Sequence, residues 1–257
     1  MDAFPRIEDQ LVVVSGAGRG LGAAIARSFA REGARVVVNW FRSEEAAQAV
    51  AEAIGDRALA VQADVRDRAS VDAMVARAQE HFDAPVTTVV QNALVDFRFD
   101  AEGRSSAAEI RWEEYAAQLD GSVHGGLNLV QACLPHMTEA GGGRVIAIGS
   151  NLVQNPVVPY HDYTTAKAAL LGFVRNMANE LGPHGITVNM VSGGLLRTTD
   201  ASAATSDAVF GLIEQSTPLR RVTTPEEMAD AVLFFASPWA RAVTGQNLVV
   251  DGGLVMN

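Results

Sequence analysis

The chain reads as a doubly wound α/β fold: a seven-stranded parallel sheet flanked by helices, in a single domain. Three observations predict it. Short apolar runs alternate with segments of helical length from end to end. The runs are apolar at consecutive positions, as strands covered on both faces must be. A glycine-rich turn lies between the first run and the first helical segment. Strands separated by helices of this length imply right-handed crossovers and a parallel sheet.

The first strand spans 11–15 (LVVVS), and a helix over 21–32 stops at Gly33. The second strand is 35–39. A helix over Glu44–Ile54 closes at Gly55, before a third strand at Ala58–Gln62. A helix over Arg68–Phe82 leads to the fourth strand, Val86–Gln91. A polar loop, 96–106, precedes one long helix over 112–137. Strand five is 143–149, and a second long helix over His161–Leu181 ends at Gly182-Pro183. Strand six is 186–191, and 195–215 reads as a loop beside the substrate. A late helix over Pro225–Ala236 has proline in its first turn, where the missing N–H costs nothing. Strand seven is 248–250. No Pro/Ser-rich linker, low-complexity segment or repeat interrupts the alternation, so residues 1–257 are read as one domain.

Charge removes two classes of partner. The formal net charge is −10, whereas nucleic acids and anionic membrane surfaces select clustered Lys and Arg. No apolar run reaches the roughly 20 residues of a membrane helix. The first ten residues lack a basic start followed by an apolar stretch, so no signal peptide is expected and the expected location is cytoplasmic. The lone Cys133 sits in an apolar run and reads as core. The five histidines (His81, His124, His136, His161 and His184) show no metal-ligand spacing, so no metal is expected; His161 could border the substrate mouth. Trp112 and Tyr115 read as helix packing.

The first strand runs into Ser15-Gly16-Ala17-Gly18-Arg19-Gly20-Leu21-Gly22. Glycines there let the backbone approach a pyrophosphate, and the helix start offers free N–H groups and partial positive charge. Gly16, Gly20, Leu21 and Gly22 are therefore candidate cofactor contacts in a Rossmann-type turn. At the end of strand two an acidic residue would hold a ribose 2′-hydroxyl and repel a 2′-phosphate. This chain has Asn39-Trp40-Phe41-Arg42-Ser43 instead. Arg42 and Ser43 can bond a phosphate, and Arg19 can reach it from the glycine loop, which points to NADP(H). Asp64 and Val65, after strand three, are candidates for the adenine.

Tyr163 and Lys167 stand four apart near the start of a helix, on one face. An ammonium beside the phenol lowers its pKa from about 10. The phenol can then protonate a ketone oxygen, and its anion can deprotonate an alcohol. Lys167 has donors left for the nicotinamide ribose. Ser150 ends strand five, where parallel sheets bind ligands, and its hydroxyl can hold the reacting oxygen.

These residues resemble the short-chain dehydrogenase/reductase family over nearly the whole chain. Ser15-Gly16-xxx-Gly20-x-Gly22 matches its cofactor motif, and Tyr163-xxx-Lys167 its active-site motif. Ser150 lies thirteen residues before Tyr163, where the family has its serine. Ile186-Thr187-Val188-Asn189 and Thr244-Gly245-Gln246…Val250-Asp251-Gly252-Gly253 are similar to its strand six and C-terminal segment. The likeness is greatest to 3-oxoacyl-acyl-carrier-protein reductases, through Gly149-Ser150, Asn39…Arg42-Ser43 and Pro218-Leu219-Arg220-Arg221. It implies that Asn92 and Ala93 line the cofactor ribose, that Leu196 orients the carboxamide, and that Thr198 contacts the pyrophosphate or the amide. Gly194 stands on the same cofactor loop. It also implies a homotetramer joined through the two long helices. The implied reaction is NADPH-dependent reduction of a carbonyl such as a 3-oxoacyl thioester, with fatty acid biosynthesis as the setting. A secondary-alcohol or polyol dehydrogenase with the same active residues is the alternative, and a non-catalytic NADP(H)-binding subunit or sensor is a third reading. Arg104 and Arg111 are the weak candidates for a carrier-protein contact.

Three positions depart from the family pattern. Asn-Asn-Ala-Gly reads Gln91-Asn92-Ala93-Leu94, so a bulkier side chain reshapes the loop near the nicotinamide. The Pro-Gly after strand six reads Gly193-Gly194, which frees that loop. Ser122 stands where the family has an asparagine that holds a proton-relay water. A serine is shorter but still binds water, so a slower or rerouted relay is expected. Ser122→Asn should then alter turnover and its pH profile; an unchanged rate and profile would count against a relay at this position.

Overall fold

The computed structural model describes residues 5–197, 199, 202 and 205–256. Its sheet has seven parallel strands in the order β3-β2-β1-β4-β5-β6-β7. The strands are β1 (Leu11–Val14), β2 (Arg35–Trp40), β3 (Ala58–Gln62), β4 (Val86–Gln91), β5 (Gly143–Ser150), β6 (Ile186–Gly193) and β7 (Asn247–Val250). Every residue of β1, β4, β5 and β6 is buried, as the continuous apolar runs required.

Two hydrophobic cores cover the two faces. On one, α3 (Arg68–Phe82), α5 (Gly125–Glu139) and α6 (His161–Leu181) pack through Met74, Leu129, Cys133, Leu170 and Val174. On the other, α1 (Gly20–Arg31), α2 (Glu44–Ile54) and α8 (Pro225–Ala236) pack through Ile25, Phe29, Val50 and Val232. Cys133 is fully buried, and burial pushes its thiol up to about 12, so it packs as a small apolar residue.

Three elements differ from expectation. The single helix over 112–137 is α4 (Trp112–Leu119) and α5, joined by a π turn at Asp120–His124. Gln91 lies beneath that turn and its Nε2 donates to the Ser122 carbonyl. A Cβ at Gly126 would overlap the Gln91 amide, so glycine makes room for this side chain. The stretch read as a substrate loop contains α7 (Asp207–Ser216), whose start is capped by Ser206. Only Phe210 of α7 is buried, while Val209 and Leu212 are exposed. Strand six runs two residues further than expected, to Gly193, paired with Ser150 on one side and Val250 on the other.

The order of the sheet places the site. The strand order reverses between β1 and β4, so the crossovers that follow these two strands pack on opposite faces and a crevice opens at their carboxyl ends. One hydroxyl stitches the two strands there. Ser15 Oγ accepts from the backbone N–H of Asn92 (2.9 Å) and Ala93 (3.0 Å). The Asn92 amide donates back to the carbonyls of Ser15 (2.9 Å) and Gly16 (3.1 Å). Gly22 faces this knot, and a Cβ on it would overlap the Gly16 carbonyl oxygen and lie 2.6 Å from Asn92 Nδ2. Gly22→Ala should therefore cost about 1–3 kcal/mol in urea denaturation. Gly172→Ala, in α6 with nothing within 4 Å of the added Cβ, should be neutral or stabilise by up to about 1 kcal/mol. Equal effects at the two positions would refute this account of the loop.

Candidate active site

The glycine loop lies over the ends of β1 and β2. Gly16 takes a left-handed φ of +63°, which turns the chain into α1. Its N–H donates to Asn39 Oδ1 (3.2 Å), and Ala17 N–H donates to the Asn39 carbonyl (2.8 Å). Asn39 is buried, and its Nδ2 faces the carbonyls of Ala63 (3.1 Å), Trp40 (3.3 Å) and Val61 (3.4 Å). Its side chain is thus spent inside the protein, supporting the loop from below. Arg19 is exposed in extended conformation just before α1, with Gly20, Leu21 and Gly22 forming the first turn. Thr199, which the sequence reading passed over, stands above Gly20: a Cβ there would be 3.6 Å from Thr199 Cβ. Its neighbour Thr198 lies outside the described residues. Gly194 abuts Asn151, and Leu196 bridges to Thr223.

The far end of the crevice holds a charged group only partly foreseen. Arg42 pairs with Asp96 (Nη1 to Oδ1, 2.5 Å), and both side chains are largely exposed. Arg66, not singled out from sequence, grips Asp64 with two bonds (2.9 and 2.7 Å), which holds the Asp64 carboxyl below its ordinary range. Both guanidiniums flank the Phe41 ring, with centroid distances of 5.4 and 5.8 Å. Ser43 starts α2 without capping it through its side chain. Val65 is buried, its carbonyl accepting from Asn128 Nδ2 (2.9 Å).

Ser150, Tyr163 and Lys167 come together at the other side of β4. All three are nearly buried, at 4%, 6% and 4% exposure. Ser150 ends β5, and Tyr163 and Lys167 share one face of the first turns of α6. Lys167 Nζ donates to the Ile148 carbonyl (2.8 Å) and lies 5.6 Å from the Tyr163 ring centroid. The sequence suggested a phenol lowered by the ammonium. Here desolvation wins and pushes Tyr163 up to about 12, opposed by the Ser150 hydrogen bond. The phenol therefore keeps its proton at neutral pH. The same burial pulls Lys167 down to about 8.

Asp251 positions this cluster from the C-terminal segment. Its buried carboxylate accepts from Asn151 Nδ2 (2.9 Å), Gly253 N–H (3.0 Å) and Val255 N–H (3.0 Å), which fixes the residue after Ser150. Ser122, on the π turn, is buried. Among the described residues no group of three or more His, Cys, Asp or Glu could hold a metal ion, and no helix is long and apolar enough to cross a membrane.

The Lys167 shift predicts a pH-dependent stability. Between about pH 8 and 10.5 the folded lysine is neutral while the unfolded one is charged. Stability from this group therefore rises with pH through that window, by roughly 3 kcal/mol, and the burden is full below it. In Lys167→Met the dependence disappears. The variant's stability relative to the parent should be higher at pH 7 than at pH 10 in urea denaturation; a difference that stays constant with pH excludes the buried ammonium as its source.

The chain has relatives among known proteins. The sequence model of the family described as "Enoyl-(Acyl carrier protein) reductase" matches residues 16–255. The chain is 37% identical to L-rhamnose 1-dehydrogenase (NAD(P)(+)) of Azotobacter vinelandii, over 97% of this chain and 98% of that one. It is 31% identical to the 3-oxoacyl-acyl-carrier-protein reductase FabG of Escherichia coli, over 97% and 98%. Among solved structures, a doubly substituted mutant of a Serratia marcescens short-chain dehydrogenase/reductase superposes with a TM-score of 0.85 at 31% identity, over 97% of this chain and 99% of that one. With the glycine loop, the parallel sheet and the serine–tyrosine–lysine cluster in place, this chain belongs to the short-chain dehydrogenase/reductase family of oxidoreductases, which act on CH–OH and C=O groups with NAD(P)(H).

Proposed function

We propose that this protein is an NADPH-dependent carbonyl reductase. The observation that supports it most is the gathering of Ser150, Tyr163 and Lys167 at the carboxyl end of β5, beside a crevice built for a dinucleotide. The loop fits the cofactor by chemistry, because α1 starts without a side-chain cap and so leaves its first N–H groups for a pyrophosphate. Gly16, Gly20, Leu21, Gly22 and Thr199 would hold the pyrophosphate, with Thr198 beside them. Asn92, Ala93, Tyr163 and Lys167 would hold the nicotinamide ribose, and Gly194 and Leu196 would border the carboxamide.

The 2′-phosphate would sit among Arg42, Ser43 and Arg19. Asn39 contributes no carboxylate there, and Arg42 has to exchange Asp96 for the phosphate. Asp64, bound by Arg66, and Val65 would border the adenine. Bound NADPH supplies a hydride to the carbonyl carbon. Tyr163, protonated at neutral pH, gives its proton to the carbonyl oxygen. Ser150 donates a hydrogen bond to that oxygen as charge develops on it. The phenolate left behind is stabilised by Lys167 in its charged form and regains a proton from solvent, with Ser122 the candidate for steadying a relay water.

Two substrate readings follow from the relatives. A 3-oxoacyl thioester corresponds to the Escherichia coli enzyme, and a secondary alcohol or polyol to the Azotobacter sugar dehydrogenase. A homotetramer joined through α4, α5 and α6 is part of the proposal; Trp112, 68% exposed and stacked on Tyr115, suits a partner on that face. A cytoplasmic location completes the reading.

The test is cofactor consumption with NADPH and NADH against 3-oxoacyl thioesters, simple ketones, quinones and sugars. NADPH should be preferred. Arg42→Ala should raise the NADPH dissociation constant about tenfold and leave that for NADH unchanged, the scale of one exposed charge-assisted hydrogen bond. Equal losses for both cofactors would argue against a phosphate at this position.

A further inference from the structure

Three aromatic rings gather beside the Tyr163 phenol. Phe97 lies nearly parallel to Tyr163, with centroids 4.6 Å apart and planes at 18°. Phe99 stands edge-on to Tyr163 at 5.2 Å and 79°. Tyr160 closes the group, edge-on to Phe97 at 5.4 Å and to Phe99 at 5.6 Å. These are the offset-stacked and T-shaped arrangements that aromatic quadrupoles favour.

The segment bearing the two phenylalanines is built to present them. From Val95 to Asp100, partly buried apolar residues alternate with exposed polar ones: Val95, Phe97 and Phe99 face in while Asp96, Arg98 and Asp100 face out. That is the period of an extended chain, here without a strand partner. Hydrogen bonds and an ion pair hold the segment instead. Gln118 Nε2 donates to the Val95 carbonyl (2.9 Å), Arg42 pairs with Asp96, and Ser105 Oγ donates to Glu114 (2.7 Å). The charged side chains of this segment, Asp96, Arg98 and Asp100, are exposed, while Phe97 and Phe99 are partly buried against Tyr163. The wall beside the phenol is therefore aromatic, with charge at its outer edge.

The geometry points to Phe97 and Phe99, with Tyr160, as the specificity-determining wall of the substrate site, and to a flat aromatic carbonyl compound, an aryl ketone, as its substrate class. This rests on the carbonyl-reductase reading above. A substrate oxygen that reaches Tyr163 must bring its neighbouring atoms against these rings. An aryl group there gains the ring-on-ring geometry that Phe97 now makes with Tyr163. A sugar would lay hydroxyls against carbon faces that cannot bond them. A flexible acyl chain could bury area but would make no use of the ring orientation.

The experiment compares kcat/KM for acetophenone, 2-butanone, the N-acetylcysteamine thioester of acetoacetate and L-rhamnose (with NADP+ for the sugar). Acetophenone should be the best of the four. The acetophenone-to-butanone ratio should fall about tenfold in Phe97→Ala and in Phe99→Ala, chiefly through KM, the scale of one lost aromatic pair. Phe97→Leu, which keeps bulk and removes the ring, should fall likewise, and Phe97→Tyr should restore the ratio. A ratio that survives loss of both rings, or faster turnover of the thioester or the sugar, overturns the aromatic wall and leaves the oxidoreductase reading standing. No cofactor turnover with any of the four, at any pH from 6 to 10, overturns both.

Discussion

The site depends on a single constraint: two neighbouring parallel strands whose crossovers leave for opposite faces must stay joined at their carboxyl ends. β1 and β4 are neighbours in the sheet but belong to opposite windings of the chain. Their crossovers leave for opposite faces, and the gap between them is where a ligand fits. Left alone, the backbone groups at this gap would be unpaired. Ser15 and Asn92 satisfy them by bonding to each other's backbone, and Gly22 lets α1 come down onto the knot. The placement of the glycine loop beside Asn92 and Ala93 rests on that contact.

Burial then sets the chemistry. Water is excluded around Tyr163 and Lys167, and the two groups respond in opposite directions. The phenol holds its proton more firmly and the ammonium gives its proton up more easily. At neutral pH the phenol keeps its proton, and the lysine carries a cost of burial that the fold tolerates. The serine hydroxyl works against the phenol's shift through a hydrogen bond. Asp251, far away in sequence, holds the turn after Ser150 and so connects the last strand to the reacting group.

Periodicity and spacing reveal local structure where one residue type has one use. Helices with clear stops, such as Glu44–Ile54, Arg68–Phe82 and His161–Leu181, end where their apolar faces end. The π turn at Asp120–His124 left no such trace; the side chain that meets it, Gln91, comes from a distant strand and donates to the Ser122 carbonyl. α7 was missed because its apolar residues do not form a buried face. Arg66 was missed because an arginine after a strand is ordinary until a carboxylate is found beside it. The alternation across 95–100 was available as a signal, and its meaning came only with Tyr163 opposite.

The sequence by itself determined the alternation of strands and helices, the glycine turn, the absence of a carboxylate after β2 and the four-residue spacing of Tyr163 and Lys167. All of these are properties of neighbouring residues, and neighbours are joined by covalent geometry. Only the tertiary structure decided that Asn39 turns inward to support the loop, that Arg42 is held by Asp96, that the phenol is raised and not lowered, and that Phe97 and Phe99 pack against the Tyr163 ring. Each of these is a balance of desolvation and contact between residues far apart in the chain, and that balance exists only once the sheet has brought them together.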